Sequence, residues 1–429
     1  MPISEDIAGP IFNTATKAFT SHYDPDKPSL KVIFYDLWSG FLLWAATKNL
    51  NIRESVLRQV QAMIDCGTIK MGFNIYECPH CHQHNIVCFT CKSRFCPSCG
   101  VRMTKLRAKR VARNTLDVKH RHMVFTIDDR LRIYFRRHRD WLNFLFEAAS
   151  DAIMYAYNSK QIQQRKNNRH KRKHKKDKIM PGYIITLHTF GRDLKWNPHV
   201  HVLCTDGGMN RNHMFKSAGF ISYPALRRAY TRKLFELMRN ACPKDTVEGK
   251  HLRKLLSQIY KEHPDGLYVN SPPSDMDRMK DGKKQVIAYM MRYTGRPAMA
   301  QSRITHYDYY KKTVSYWYQD HKTEERIEVK DEHVYVFMLK IIIHIPDDQF
   351  KMIRYYGLYA SADHCHKKIV HQKIYRQSCS SYHKDRPVHY RRLMVETFGV
   401  DPLLCTCGHY MKYVDCYVPS RIVADGESP

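Results

Sequence analysis

A chain of 429 residues is long enough to bury a sizeable core and to divide into about two to four domains. With 71 Lys and Arg against 41 Asp and Glu, the formal charge of +30 favours a polyanionic partner held through phosphate contacts and counterion release. An anionic membrane surface would attract the same charge. However, no apolar run reaches the roughly 18 residues that span a bilayer, and the start MPISEDIAGP lacks the layout of a signal peptide, so a soluble, cytoplasmic chain is expected.

From Leu30 to Asp65 the apolar residues recur at helical spacing, in DLWSGFLLWAATKN and then IRESVLRQVQAMIDC, and Gly67 stands where a helix would stop. Seven of the 14 cysteines then crowd between Cys66 and Cys99, a density that suits metal binding better than disulfides. Within this stretch Cys78-x2-Cys81 and Cys96-x2-Cys99 lie 14 residues apart, close to the spacing of treble-clef and ribbon zinc sites. Four thiolates close a tetrahedral shell, which predicts a structural Zn2+. Cys88, Cys91, His80, His82 and His84 lie in the same stretch, leaving a second ion or another choice of four ligands open. A basic helix, VRMTKLRAKRVARN, follows.

HMVFTID, from His122 to Asp128, has the character of a buried strand, and Leu131 to Tyr157 that of a long packed helix, so a mixed α+β domain begins here. The run from Arg165 to Lys178 carries nine Lys or Arg with a single Asp and reads as a mobile, solvated loop. Charge runs of this kind are commonly plain linkers. Its place directly before the next strand nevertheless makes Arg165, Lys166, Lys171, Arg172, Lys173, Lys175 and Lys176 candidates for phosphate contact.

YIITLHTF and PHVHVLCTD read as two strands joined by GRDLKWN. Period-two geometry sends His199 and His201 to one face of the second strand, while Val200 and Val202 point to the other. Two further His-x-His pairs, His120 with His122 and His364 with His366, are set aside as decoys; Arg121 would have to enter the core if both its neighbours faced a metal. If the hairpin closes symmetrically around Arg192 to Lys195, His188 falls opposite His199 and becomes a third ligand. Imidazoles with open positions suit a divalent ion that polarises a phosphate oxygen.

Next, KKQVIAYMMRYTGRP is an amphipathic helix with Arg292 in its last turn and Gly295 as its stop. Tyr289 and Tyr293 stand at i and i+4, one turn apart on one face. Such pairs usually pack; beside a His-hydrophobic-His strand, a phenol can instead attack a phosphodiester and keep the strand as a phosphotyrosine. From about Ser302 strand-like pieces, TVSYWYQ and YVFMLKIIIHI, precede a basic, His-rich tail. The aromatic share of 12% suits stacking on unpaired bases as well as a core.

In this order CPHC…CKSRFCPSC, HMVFTI, LHTFGRDLKWNPHVHVLCTDGG, IAYMMRYTGRP, HIPDDQFKMIRYYGLYA and DPLLCTCG together resemble the two-tyrosine HUH rolling-circle transposases of bacterial insertion sequences that carry an N-terminal transposase zinc-binding domain. The resemblance implies an α+β fold with an HUH-type antiparallel sheet and packed helices, one bearing the two tyrosines. It also implies a small four-cysteine zinc domain and a basic C-terminal region. By the same resemblance His199 and His201 would bind Mg2+ or Mn2+, to which the hairpin register adds His188 as third ligand; Tyr289 and Tyr293 would be nucleophiles, and Cys78, Cys81, Cys96 and Cys99 would hold zinc. The implied partners are the single-stranded ends of a mobile element and its target DNA; the basic loop looks like an insertion relative to the family pattern, so its phosphate contacts, like that expected of Arg292, are read from charge and position and not from the resemblance. A tyrosine would nick one strand, leaving a 5′-phosphotyrosine and a free 3′-hydroxyl, without ATP. In the family a C-x-x-C-G knuckle often closes the chain; Cys405-Thr-Cys407-Gly is one residue short, which argues against a second zinc there. The expected regions are helical 1–70, zinc-binding 71–115, catalytic 116–310 with the loop 165–178, and a strand-rich, basic 311–429. Two other readings are an HUH replication initiator or relaxase, separable only by the DNA it cleaves, and a non-enzymatic zinc-ribbon regulator that forms no covalent adduct.

Overall fold

The computed structural model describes residues 28–113, 115–167, 178–212, 214–219, 221–270, 279–294, 297–320, 323–360, 391, 394–395, 399 and 401–419. In chain order these give α1 (Leu30–Thr47), α2 (Glu54–Ile64), β1 (Phe73–Glu77), β2 (His84–Cys88), α3 (Pro97–Arg113), β3 (His120–Phe125), α4 (Arg132–Arg137) and α5 (Leu142–Asn167). There follow β4 (Gly182–Phe190), β5 (Trp196–Thr205), β6 (Gly207–Met209), β7 (Phe215–Ser217), α6 (Tyr223–Ala241), α7 (Val247–Glu262), β8 (Val269–Asn270) and α8 (Gly282–Tyr289). The last elements are β9 (Ile304–Asp308), β10 (Thr313–Gln319), β11 (Arg326–His333), α9 (Val334–Ile342), β12 (Ile353–Gly357) and β13 (Lys412–Tyr417). This is a mixed fold of helices and antiparallel sheets. No described helix is long and apolar enough to cross a membrane.

The chain forms two compact units, one drawn from 1–106, 295–348 and 385–429, the other from 107–294 and 349–384. The first holds two three-stranded sheets, β13-β1-β2 and β11-β10-β9. Helix α1 begins where Ser29 accepts the Val32 N–H, and its Phe41 and Trp44 rings meet Tyr335 of α9. That second helix corrects the strand expected at YVFMLKIIIHI. The β-branched content suggested a strand, but Val334, Tyr335, Phe337, Met338, Ile341 and Ile342 are the buried set, a helical stripe, and the His333 ring caps it by accepting the Tyr335 N–H.

The second unit is built on a five-stranded antiparallel sheet in the order β12-β4-β5-β3-β8. One face, with Met123, Phe125, Ile185, Leu187, Val200 and Val202, packs into a core with Leu145, Phe146 and Ala149 of α5 and Tyr230, Leu234 and Phe235 of α6. The opposite face carries Ile184 and Leu203, and Val286 and Tyr289 of α8 pack there with Ala108 and Val111 of α3. The helix expected from Leu131 breaks at His138, whose ψ of 80° is not helical, and restarts at Leu142. It then runs to Asn167, so the backbone at Arg165 and Lys166 is helical where a loop was expected. Lys171, Arg172, Lys173, Lys175 and Lys176 lie outside the described residues, as do His364 and His366.

Candidate active site

Strands β4 and β5 close in the register that the hairpin symmetry predicts, with His188 directly opposite His199. Antiparallel pairing puts opposed residues on one face, so His188, His199 and His201 project together while Val200 and Val202 fill the core behind. Their nitrogens lie within 4.8 Å of one another, close enough for one ion. The His199 Nδ1–H donates to the Asn197 carbonyl at 2.7 Å, which leaves the lone pair of the neutral ring on Nε2. The His188 Nε2–H donates to the Tyr293 carbonyl and so carries its lone pair on Nδ1. Burial, reinforced by the neighbouring imidazoles, holds the His201 pKa well below the usual histidine value, so this ring is neutral at pH 7. Neutral imidazoles are what a divalent cation requires.

His122 lies beside this group but is not one of the three residues whose ligand nitrogens converge. Its Nε2 lies 3.1 Å from His201 Nδ1, and the two rings stack at 5.3 Å. Its neighbour Arg121 sits near the end of β3. From there its guanidinium reaches the Asp206 carboxylate and the Gly219 carbonyl without crossing the core. His120, on the same face, is occupied differently: its Nε2 meets the Tyr359 hydroxyl at 2.7 Å, and burial lowers its pKa to about 4.

Helix α8 lays the tyrosines over this face. Asp281 caps it by accepting the Lys284 N–H at 3.0 Å. Gly282 is required next, because a Cβ there would stand 2.0 Å from the Val118 carbonyl oxygen. Buried Gln285 ties the helix to β3 by accepting the His120 N–H at 2.7 Å. After Tyr289 the helix widens into a π-turn, Met290–Thr294, that carries Arg292 and Tyr293, and the two phenol rings end 5.4 Å apart. The Tyr293 ring stacks on His201 at 4.1 Å and on His122 at 4.7 Å. Tyr289 is fully buried, and its hydroxyl donates to the His201 carbonyl at 2.8 Å and sits 3.0 Å from Thr186 Oγ1. Burial pushes this phenol's pKa far above the usual tyrosine value.

In the other unit the cysteines group differently from the single set of Cys78, Cys81, Cys96 and Cys99. Cys96 and Cys99 meet Cys66 and Cys91, whereas Cys78 and Cys81 meet Cys405 and Cys407. The first grouping arises because α3 starts at Pro97 and carries Cys99 toward the end of α2, where Cys66 lies, with its sulfur 3.5 Å from that of Cys99. Cys66 stands in the dense stretch but in no C-x-x-C motif, and its place just past a helix end is the one local sign of a ligand.

Residues 182–368 match the family model described as "Putative transposase", and residues 34–127 match the one described as "Transposase zinc-binding domain". The chain is 29% identical over 382 residues to "Transposase for insertion sequence element IS801" of Pseudomonas savastanoi pv. phaseolicola, covering 84% of each chain. It is 24% identical over 318 residues to "Putative transposase y4qJ" of Sinorhizobium fredii (strain NBRC 101917 / NGR234), covering 70% of this chain and 73% of the relative. No solved structure matches.

Proposed function

Because the chain belongs to the rolling-circle transposase family of bacterial insertion sequences that carries an N-terminal zinc-binding domain, we propose that it nicks single-stranded DNA with Tyr293 and transfers strands through a 5′-phosphotyrosine link. The observation that carries this reading is the Tyr293 ring lying on His201, with its backbone carbonyl bound by His188. Structural Zn2+ in the N-terminal domain is a separate matter of folding, since a shell of four thiolates leaves no open position.

His188, His199 and His201 would hold a divalent cation, and the donor set fits: three clustered imidazoles, two with tautomers fixed by carbonyl oxygens. When bound, that cation would polarise the scissile phosphate's oxygens and stabilise charge in the transition state. An all-nitrogen set suits Mn2+ better than Mg2+, which prefers oxygen donors and its own waters. The Tyr293 oxygen bonds to phosphorus as the phosphorus–O3′ bond breaks; the phenol gives up its proton and the departing 3′ oxygen takes one up. A later 3′-hydroxyl reverses the exchange, so the phosphodiester is conserved and no ATP is consumed.

Tyr289 is the second nucleophile in this reading. Its hydroxyl is locked on the His201 carbonyl, so it acts after the Met290–Thr294 π-turn shifts and frees it. The cations of 165–178, with Arg292, would hold phosphates while the bases are presented, and the substrates would be the element's single-stranded ends and its target in the bacterial nucleoid. The test is incubation with a single-stranded oligonucleotide carrying an element end plus Mn2+, followed by a denaturing gel. Wild type should yield a protein band shifted by attached DNA, and Tyr293→Phe should not. Cleavage by the double phenylalanine variant would remove the tyrosines from the chemistry.

A further inference from the structure

Cys405 and Cys407 lie outside both matched regions, 34–127 and 182–368, yet their sulfurs meet those of the first C-x-x-C motif. Cys78 Sγ stands 3.5 Å from Cys407 Sγ, and Cys81 Sγ 3.5 Å from Cys405 Sγ. A disulfide would bring a pair to about 2.05 Å. Tetrahedral zinc with Zn–S bonds of about 2.3 Å spaces its sulfurs about 3.8 Å apart, the nearer match. All four ligand atoms fall within 4.8 Å of one another, so the group is a compact quartet and not two chance pairs.

The backbone builds this quartet from two tight turns. In the first, the His82 N–H donates to the Cys78 carbonyl at 2.9 Å and the Cys78 N–H to the Gln83 carbonyl at 2.9 Å, with His82 at a φ of 61°. In the second, the Gly408 N–H donates to the Cys405 carbonyl at 3.0 Å and the Cys405 N–H to the His409 carbonyl at 2.9 Å, with Gly408 at a φ of 86°. Each turn thus ends on a left-handed residue that folds the sulfurs inward. Cross-links of a second kind hold the turns face to face. Strand β13 pairs with β1 so that Glu77 opposes Lys412, the Asn85 amide donates to the Pro402 carbonyl at 2.8 Å, and the Thr406 hydroxyl donates to Gln83 Oε1 at 3.1 Å. The rings of His80 and His409 stack at 4.2 Å beside it.

We infer that Cys78, Cys81, Cys405 and Cys407 form a second zinc site, a clasp whose ion is shared by the N-terminal module and the turn that precedes the last described strand. The short Cys405-x-Cys407 spacing is then no defect, because the missing half of the shell comes from a turn more than 320 residues earlier. This inference rests on the cysteines alone and stands or falls independently of the tyrosine chemistry.

The test is metal content of the purified full-length protein by mass spectrometry of dissolved metal, with Co2+ titration of the metal-stripped wild type. With the imidazole site emptied by His199→Ala with His201→Ala in both proteins, the chain should hold two zinc ions and its Cys405→Ser with Cys407→Ser derivative one. Co2+ should give all-thiolate tetrahedral spectra up to two equivalents. The cobalt measurement needs no variant, so a poorly folding double serine protein does not leave the question open. One zinc per chain, a cobalt spectrum saturating at one equivalent, or a double serine variant that keeps both ions would overturn the clasp.

Discussion

Tyr289→Phe removes a single oxygen from the middle of the second unit and leaves the ring packed with Ile184, Leu203 and Val286. What it deletes is the hydrogen bond to the His201 carbonyl at 2.8 Å and the contact with Thr186 Oγ1 at 3.0 Å. A hydrogen bond contributes about 1 kcal/mol net, and a buried acceptor left without its donor raises the loss to about 2 kcal/mol. For a unit of this size each kcal/mol lowers Tm by about 2–4 °C, so thermal unfolding followed by circular dichroism should shift down by about 4–8 °C. First-strand cleavage should survive, because the hydroxyl being removed is an anchor at that stage. Tyr293→Phe should do the reverse, keeping Tm near wild type and losing the first adduct. An unchanged Tm for Tyr289→Phe together with loss of first-strand cleavage would refute the assignment of these roles.

His199→Ala should cut cleavage about 100-fold or more, the equivalent of several kcal/mol of transition-state charge stabilisation, while anisotropy shows single-stranded DNA still bound. Cleavage at the wild-type rate would take His199 out of the proposed metal site. Gly282→Ala drives a Cβ to 2.0 Å from the Val118 carbonyl oxygen, and a backbone that cannot yield should cost about 1–3 kcal/mol in urea unfolding. Unchanged stability would mean that α8 tolerates a shift at its start. Burial lowers the His120 pKa to about 4, below an unfolded value of about 6.5, so between these limits the unfolded chain takes up a proton that the folded chain refuses. Stability is therefore intact above about pH 6.5 and falls by about 3 kcal/mol as pH drops toward 4, a slope that His120→Gln should reduce. An equal slope in the variant would place the effect elsewhere.

The site was legible where chemistry repeats at short range. Alternation alone placed His199 and His201 on one face, and the length of the turn fixed the register that brings in His188. Burial of Arg121 was the wrong reason for setting His122 aside, because the neighbouring Asp206 gives its guanidinium a way out at the strand end, yet His122 still stands outside the converging trio. The π-turn after Tyr289 has no local signature; it depends on the sheet face that Tyr289 is buried against. The cysteine groupings were hidden for a related reason. Proximity in sequence joined Cys78 and Cys81 to Cys96 and Cys99, but the pairing of β13 with β1 brings partners from the far end of the chain. Strand and helix were confused at α9 because Val and Ile dominate its composition, and only the spacing of its buried residues marks it as helical.

The most direct measurement is mass spectrometry of the tryptic peptides from the covalent adduct that wild-type protein is expected to form with a single-stranded element end before any second transfer. Arg292 lies between the two tyrosines, so trypsin separates QVIAYMMR from the peptide that begins YTGRPAM. The nucleotide is expected on Tyr293; finding it on Tyr289, on any other residue, or on no peptide at all would contradict a nucleophile positioned by its stacking on His201.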